Sequence, residues 1–429
     1  MARALRFGSL ALACAALLPG CGTTSDGDVV RFWAFGREGE VVQELVRDFE
    51  QENPGIRVRV QQIPWSAAHE KLLTAHVGDA SPDIAQLGNT WIPEMETLDA
   101  LEPLDSLVGA GGLPDSSWYP GIVATNVVDR QLYGIPWYVD TRLLFYRSDL
   151  LRAAGFPEPP RTWNEWRTAM RRVKAQLGPE HFATLLPTDE FEQPVIFGMQ
   201  AGAPLLRDGG RYGDFSEPRF AGAFRFYVSL FHEGLAPVAS NAQIGNLYQQ
   251  FAEGHYAMYV TGPWNLGEFR TRMPPARKDD WETAPFPVPD GSPYPGTSFA
   301  GGSSLSIFRS CRHPREAWQL IEFLSRVDQQ KRFWELTGDL PARKAAWEDP
   351  RLAGDRRSRA FHQQLQGVRP TPMIPEWQQI ALRLAEAAQQ AIHRVATPEK
   401  ALADLDRDVD QILEKRRWIL AQRAGKQGD

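Results

Sequence analysis

Two acidic residues are the best placed in this sequence to do chemistry. Asp140 lies on a polar break between two apolar strand-like segments, and Glu192 stands just before an apolar helix through Ile196 and Phe197. A glycosidase uses such a pair of carboxyl groups on either side of the bond it cleaves. Their separation cannot be read from the sequence, and Asp140 alone is equally typical of a turn, so the pair leaves an enzymatic alternative open.

Other catalytic signatures are absent from the sequence. His69-Glu70 is followed by Lys-Leu-Leu and lacks the second histidine of a zinc-binding helix. The serines between Gly302 and Ser306 lack the flanking glycines of a nucleophile elbow. The eight histidines are scattered, and there is no phosphate-binding glycine loop. The sequence therefore predicts no metal site, no cofactor and no enzymatic activity.

Polar and aromatic side chains follow the first strands of a predicted parallel sheet. Residues 29–35 and 56–60 have the pattern of strands, and the segment between them has helical spacing, which predicts a βαβ unit. Arg37 and Glu38 follow the first strand, and Asn89 and Trp91 follow the third. Because ligands gather beyond the carboxyl ends of such strands, we expect these residues at a cleft. A solvated helix start remains the alternative for Arg37 and Glu38.

Length and charge restrict the class of protein. A chain of 429 residues is long enough for two lobes, each with its own core. The net charge is −6 and the basic residues are scattered, so the sequence lacks a nucleic-acid-binding footprint.

The N-terminus has the pattern of an export signal. Arg3 and Arg6 flank an apolar run over residues 7–18, which is too short to span a bilayer. It ends in Leu18-Pro19-Gly20-Cys21, which resembles a lipobox, the site where bacterial lipoproteins are cleaved and lipidated. We expect a signal peptide over residues 1–20, lipidation of Cys21 and a flexible tether over residues 21–28; an uncleaved membrane anchor is the alternative. Cleavage would bring the net charge to −8 and leave Cys311 without a disulfide partner.

Seven motifs in a fixed order carry a resemblance to a known family. They are Asn53-Pro54-Gly55-Ile56, Pro82-Asp83-Ile84, Ile135-Pro136-Trp137 with Asp140, Gly262-Pro263-Trp264, Phe299 to Ser304, Thr337 to Pro341, and Pro372 to Trp377. Their order is similar to that in bacterial extracellular solute-binding proteins, in the carbohydrate-binding, maltodextrin-like branch that serves ABC importers.

The resemblance implies a fold and its division into lobes. We expect an α/β protein with the two-lobed periplasmic-binding-protein fold of type II, an interlobe ligand cleft and hinge crossovers. The first lobe would comprise residues 29–138 and 281–342, and the second residues 139–280 and 343–421.

The resemblance also implies the ligand-binding residues. Trp264 would stack on a pyranose ring, because the C–H face of a sugar is apolar, while Asp140 would accept hydrogen bonds from hydroxyls. The full set of candidates is Trp264, Asp140, Asn89, Trp91, Trp377, Arg37, Glu38, Tyr138, Glu192, Gly301 and Gly302. Burial in the core remains the alternative for Trp264 and Trp377, and chain packing for Gly301 and Gly302.

The function implied is capture of a sugar or oligosaccharide by an exported, lipid-anchored, monomeric protein that delivers it to ABC permease subunits. The same fold could bind a non-sugar solute such as a glycerol phosphate, a polyol or a peptide. A phosphate would require convergent basic residues, for which Arg37 and Arg343 are the candidates. A surface glycan-active enzyme is the remote alternative.

Overall fold

The computed structural model describes residues 29–109, 113 and 116–426. The predicted signal peptide, the lipidation of Cys21 and the tether lie outside the described residues. None of the described helices is both long enough and apolar enough to cross a membrane.

The described chain alternates strands and helices. The strands are β1 (Val29–Phe35), β2 (Arg57–Ile63), β3 (Ile84–Gly88), β4 (Val127–Val128), β5 (Gln131–Leu132), β6 (Ile135–Asp140), β7 (Leu143–Arg147), β8 (Phe182–Leu185), β9 (Leu206–Arg207), β10 (Tyr212–Gly213), β11 (Tyr256–Thr261), β12 (Trp281–Ala284), β13 (Ser298–Phe299), β14 (Gly301–Ile307), β15 (Leu340–Pro341) and β16 (Val368–Arg369).

The α-helices alternate with these strands along the chain and continue beyond the last strand. They are α1 (Gly36–Glu52), α2 (Trp65–Val77), α3 (Ile92–Thr97), α4 (Asp105–Val108), α5 (Pro120–Ala124), α6 (Ser148–Ala153), α7 (Trp163–Leu177), α8 (Glu192–Gln200), α9 (Pro218–His232), α10 (Leu247–Ala252), α11 (Trp264–Arg272), α12 (Pro314–Leu324), α13 (Val327–Thr337), α14 (Pro350–Gly354), α15 (Arg356–Leu365), α16 (Trp377–Ile392), α17 (Pro398–Ile412) and α18 (Glu414–Lys426).

The first lobe is built on a six-stranded sheet in the order β15-β6-β14-β3-β1-β2. β1 pairs in parallel with both β2 and β3, which confirms the predicted βαβ opening. The apolar face of α1, from Val41 to Phe49, is buried, as its helical spacing predicts. β14 lies between β3 and β6 and is antiparallel to both, so the centre of this sheet is filled by a strand that comes late in the chain.

The second lobe is built on a four-stranded sheet in the order β12-β7-β11-β8. Thr162 and Glu165 have the spacing that predicts a capping box, and α7 begins with one: the Thr162 hydroxyl accepts from the Glu165 N–H, and the Glu165 carboxylate accepts from the Thr162 N–H. One core of this lobe buries aromatic side chains of α8, α9 and α16, namely Phe197, Phe220, Phe224, Tyr227, Phe231 and Trp377.

The chain first crosses between the sheets over Thr141 and Arg142. β6 belongs to the first sheet up to Asp140, two residues beyond the predicted end of that lobe segment, and β7 begins the second sheet at Leu143. β12, which we expected to open the return to the first lobe, instead pairs with β7. The reason is packing, because the buried Trp281 ring stacks on Phe145 of β7 at 5.9 Å between centroids. The chain therefore returns to the first sheet between β12 and β14, and the short β13 in between pairs with β16.

Candidate functional site

A cleft of about 590 Å³ lies where the two lobes face each other. Its first-lobe wall is formed by the segments that follow β1 and β3 and by the end of β6, as expected for the carboxyl ends of strands. Its second-lobe wall is formed by the first residues of α8 and α11. The lining residues are Arg37, Glu38, Trp65, Gly88, Asn89, Thr90, Trp91, Tyr138, Asp140, Arg142, Phe191, Glu192, Pro263, Trp264, Phe299, Gly301, Gly302, Asp339 and Gln378.

Ten of the eleven candidate residues line this cleft, although they come from six separate stretches of the chain. The exception is Trp377, whose predicted exposure to the ligand is wrong. Its side chain is 1% exposed and packs in the second-lobe core, with its ring 6.3 Å from that of Phe191. Trp377 begins α16 on the apolar face that continues through Ile380 and Leu384, so the neighbouring Gln378 reaches the cleft instead.

A chain of hydrogen bonds organises the first-lobe wall. The Tyr138 hydroxyl donates to Glu38 Oε1 at 2.8 Å and accepts from Gln86 Nε2 at 3.2 Å. The Trp65 indole N–H donates to the Glu38 carboxylate at 3.3 Å, and Gln86 Oε1 accepts from the Phe35 N–H at 2.7 Å. The hydroxyl of Tyr138 is thus engaged on both sides, and its role is to position Glu38.

Two carboxyl groups of this wall hold protons more tightly than usual. Burial raises the pKa of Glu38, against the hydrogen bonds from Tyr138 and Trp65 that favour its charged form. Burial, reinforced by the negative charge of Glu38, raises the pKa of Asp339 well above its ordinary value. A carboxyl group that keeps its proton can donate as well as accept a hydrogen bond.

Arg142 joins the two lobes at the base of the cleft, and the sequence reading did not single it out. Its Nη1 donates to Asp140 Oδ2 at 2.6 Å, and its Nη2 donates to Glu192 Oε1 at 2.8 Å. The guanidinium carbon lies over the Trp264 ring, 4.6 Å from its centroid. An acid and a base two residues apart in an extended crossing share a face, and that spacing was the available signal.

Tryptophan rings present partly exposed surface on both walls. Trp264 is 39% exposed and Trp65 is 37% exposed, whereas seven of the fourteen tryptophans are buried. Trp65 packs edge-to-face on Trp91, with 5.7 Å between ring centroids. A Cβ at Gly262 would lie only 1.9 Å from the Trp264 ring, so the glycine of the Gly262-Pro263-Trp264 motif is required for this ring position. The sequence analysis did not include Trp65, Phe191 and Phe299 among the candidates, because only the folded chain brings these three rings to the cleft.

The two glycines Gly301 and Gly302 permit close packing of the chain. Gly302 has φ +117°, and a Cβ there would lie 2.3 Å from the Tyr138 carbonyl oxygen. A Cβ at Gly301 would lie 2.5 Å from the Phe299 ring and 3.1 Å from Asp140 Oδ2. Both glycines line the cleft, and they bring β14 against the strand that ends in Asp140.

Glu192 gives the cleft a dependence on pH. Burial raises its pKa from 4.5 to about 7, despite the attraction of Arg142 and with added repulsion from Glu190. A group whose pKa is higher in the folded state contributes stability below its unfolded pKa and loses that contribution as the pH rises through its folded pKa. Between pH 5 and 8 we expect the free energy of unfolding of the wild type to fall by about 1–3 kcal/mol more than that of Glu192→Gln.

Urea denaturation of the two proteins at several pH values measures this difference. A constant offset between wild type and Glu192→Gln from pH 5 to 8 would contradict the raised pKa.

The arrangement suits a polyhydroxylated, uncharged ligand. Partly exposed aromatic faces stand on both walls, and the polar lining consists mainly of carboxyl and amide groups. The Asn89 Nδ2 donor and the Asp140 Oδ1 acceptor are buried without protein partners. Among the residues that the structure describes, no three His, Cys, Asp or Glu side chains form a group that could hold a metal ion.

The fold and cleft define the class of two-lobed solute-binding proteins, in which two α/β lobes enclose the ligand between them. Residues 35–331 match the model of the bacterial extracellular solute-binding protein family, and the chain belongs to that family. The family resemblance drawn from the motif order is thereby confirmed.

Three relatives illustrate the similarity. The structure of the sugar-binding protein MalE from Xanthomonas citri is 47% identical, with a TM-score of 0.86 over 92% of this chain and 99% of that one. A solute-binding protein of an ABC transporter from Thermotoga lettingae, bound with α-D-tagatose, is 25% identical, with a TM-score of 0.78 over 90% of this chain and 100% of that one. The galactooligosaccharide-binding protein of Bacillus subtilis is 25% identical, covering 89% of this chain and 88% of the other.

Proposed function

We propose that this protein captures a sugar or short oligosaccharide in the interlobe cleft and delivers it to the permease of an ABC importer. The observation that carries the proposal is the pairing of partly exposed indole faces with buried carboxyl and amide groups in one cleft. An apolar ring face and a rim of hydroxyls need these two kinds of partner. The similarity to the sugar-binding protein of Xanthomonas citri and to the galactooligosaccharide-binding protein of Bacillus subtilis supports the same ligand class.

Each candidate has a proposed role. Trp264 stacks on one pyranose, and Trp65 with Trp91 offers a second aromatic surface across the cleft. Asp140 and Asn89 bond hydroxyls through the atoms that lack protein partners, Asp140 Oδ1 and Asn89 Nδ2. Glu38, Arg37 and Glu192 complete the polar lining, and closure of the lobes about the crossings buries the ligand.

The charges of the cleft favour a sugar over a phosphorylated solute. Arg343 lies outside the cleft lining, with its guanidinium over Trp118. Of the basic residues that line it, Arg142 is bound to two carboxylates and Arg37 donates to the Leu336 carbonyl. A phosphate would find no convergent pair of free guanidinium or ammonium groups along the described lining.

We propose that binding leads to no chemical change in the ligand. Both members of the acid pair considered for glycoside hydrolysis, Asp140 and Glu192, are held by the same guanidinium. Incubation of the protein with its ligand, followed by chromatography for shorter products, tests this; a steady release of products would establish an enzyme.

The proposal includes anchoring of a monomeric protein to the envelope through its N-terminus. Residues 1–20 would be removed as a signal peptide, Cys21 would carry the lipid, and residues 21–28 would link it to β1. Expression of Cys21→Ser should move the protein from the membrane fraction to the soluble fraction, and retention in the membrane would favour an uncleaved anchor.

Thermal unfolding of the protein lacking residues 1–21, across a panel of sugars, sugar phosphates and peptides, tests the ligand class. Binding to the folded state alone stabilises it by RT ln(1 + [L]/Kd), about 3–4 kcal/mol at 100 to 1,000 times Kd. We expect a clear rise in the unfolding temperature with one class of saccharide. A rise only with phosphorylated or peptidic compounds would retain the fold and reject the sugar assignment.

A further inference from the structure

Arg142 stands between three groups that face the ligand space. Asp140 belongs to the first sheet, whereas Glu192 and Trp264 belong to the second lobe. One guanidinium contacts all three, through hydrogen bonds of 2.6 and 2.8 Å and a ring contact at 4.6 Å. The Arg142 side chain is only 7% exposed, so these contacts are made largely out of water and are screened little by salt.

The positive charge of the Arg142 guanidinium offsets part of the negative charge that Asp140 and Glu192 give to the cleft. Arg142, Asp140 and Glu192 together carry one net negative charge when all three are ionised. Without the arginine, two buried carboxylates would face each other with Glu190 nearby. Removing one partner of a buried pair leaves an uncompensated charge, and a cationic ligand group could then take its place.

The same guanidinium limits where a sugar can stack. Its carbon lies over the Trp264 ring, so one face of that indole is already occupied. The ring is nevertheless 39% exposed, so the rest of its surface remains open to a ligand. Cation–π stacking also holds the ring in the position that the absence of a Cβ at Gly262 permits.

We propose that Arg142 is a positioning residue that determines the specificity of the cleft for uncharged sugars. It orients Asp140 and Glu192, restricts stacking to one face of Trp264 and offsets the negative charge that would otherwise attract an amine-bearing sugar. The specificity part of this proposal rests on the proposed binding of sugars, and the positioning part does not.

The specificity is tested by calorimetric titration with maltose and with its 2-amino-2-deoxy analogue. Arg142→Met, which keeps the length but removes the charge, should weaken maltose binding at least tenfold. It should also shift the ratio of the two affinities at least tenfold towards the amine. Arg142→Lys, which keeps the charge but not the two-pronged geometry, should weaken maltose binding with a much smaller shift in that ratio. An unchanged ratio in Arg142→Met would overturn the specificity role.

A second measurement needs no ligand. Fluorine NMR of protein labelled with 5-fluorotryptophan, with the Trp264 signal assigned by its loss in Trp264→Phe, reports on the ring beside Arg142. In Arg142→Met we expect this signal to move. Glu192 faces Arg142, Asp140 and Glu190, and its titration should change the chemical shift of this signal. In Arg142→Met we expect the midpoint of that change to move to higher pH. An unmoved signal with an unchanged titration would reject the positioning role, even if wild-type protein binds neither sugar and the proposed function fails.

Arg147 provides the matched control. Like Arg142, it is a buried arginine near the first crossing, in β7. Its guanidinium donates to the Asp149 carboxylate at 2.7 Å and to two backbone carbonyl oxygens. It lies outside the cleft lining. Arg147→Lys should lower the unfolding temperature while leaving the Trp264 signal and the ratio of affinities as in the wild type. If Arg147→Lys shifts both readouts as Arg142→Met does, the effect belongs to general destabilisation and the proposal fails.

Discussion

Replacing Trp264 by alanine is expected to weaken sugar binding by about 2–3 kcal/mol, which corresponds to about 30–150-fold in Kd. The indole supplies the open aromatic face of the second-lobe wall, and it also forms the surface on which Arg142 rests. Alanine removes both, so the loss should exceed that of a simple contact. Trp264→Phe keeps an aromatic face and should lose less. Titration calorimetry with the saccharide that gives the largest thermal shift measures the difference.

Trp418 offers a matched control for this substitution. It is 65% exposed on α18 and lies outside the cleft lining, so Trp418→Ala removes an equally large exposed ring at a remote position. We expect Trp418→Ala to bind the saccharide as the wild type does. Equal affinities of the Trp264→Ala and wild-type proteins would remove the stacking role from the proposed function.

Replacing Gly302 by alanine is expected to lower the free energy of unfolding by about 2–5 kcal/mol, the sum of backbone strain and overpacking. At φ +117° an L-residue is strained, and its Cβ would lie 2.3 Å from the Tyr138 carbonyl oxygen and 2.9 Å from Val139 Cα. Both obstacles are backbone atoms of β6, which cannot rotate away as a side chain can. Because β6 ends in Asp140, its displacement should also weaken ligand binding. Urea denaturation and calorimetry measure the two effects.

Gly55→Ala serves as the control for the glycine substitution. A Cβ at Gly55 would meet no atom within 4 Å, and its φ is not positive. We expect Gly55→Ala to unfold at the same urea concentration as the wild type. Should Gly302→Ala do so as well, the close approach of β14 to β6 would be refuted.

The sequence predicted the ordered elements well where local chemistry decides them. The βαβ opening followed from apolar periodicity, and the capping box of α7 followed from Thr162 and Glu165 at the required spacing. The family motifs led to most of the cleft lining because such motifs mark positions where several distant segments meet. Local sequence patterns do not predict the contact between Asn89 and Ser304, in which the Ser304 hydroxyl donates to the Asn89 side-chain oxygen at 3.1 Å.

The failures are positions where tertiary packing decides the direction of a side chain. Trp377 and Gln378 are adjacent, and only the packing of α16 against the second-lobe core determines which of them reaches the cleft. Trp281 lies in a strand that pairs with β7 of the second sheet and not with the first sheet. Its ring stacks on Phe145, which is far away in sequence. Arg142 was missed because its importance depends on Glu192 and Trp264, which lie 50 and more residues further along the chain.

The late position of β14 has a consequence for the order in which the chain folds during synthesis. β3 and β6 are never neighbours in the first sheet, since β14 separates them, and β14 begins about 160 residues after β6 ends. The four strands of the second sheet, by contrast, all lie between residues 143 and 284. An emerging chain can therefore complete the second sheet while the first still lacks its central strand. Pairings so distant in sequence form slowly, so we expect the first sheet to stay incomplete until most of the polypeptide has been made.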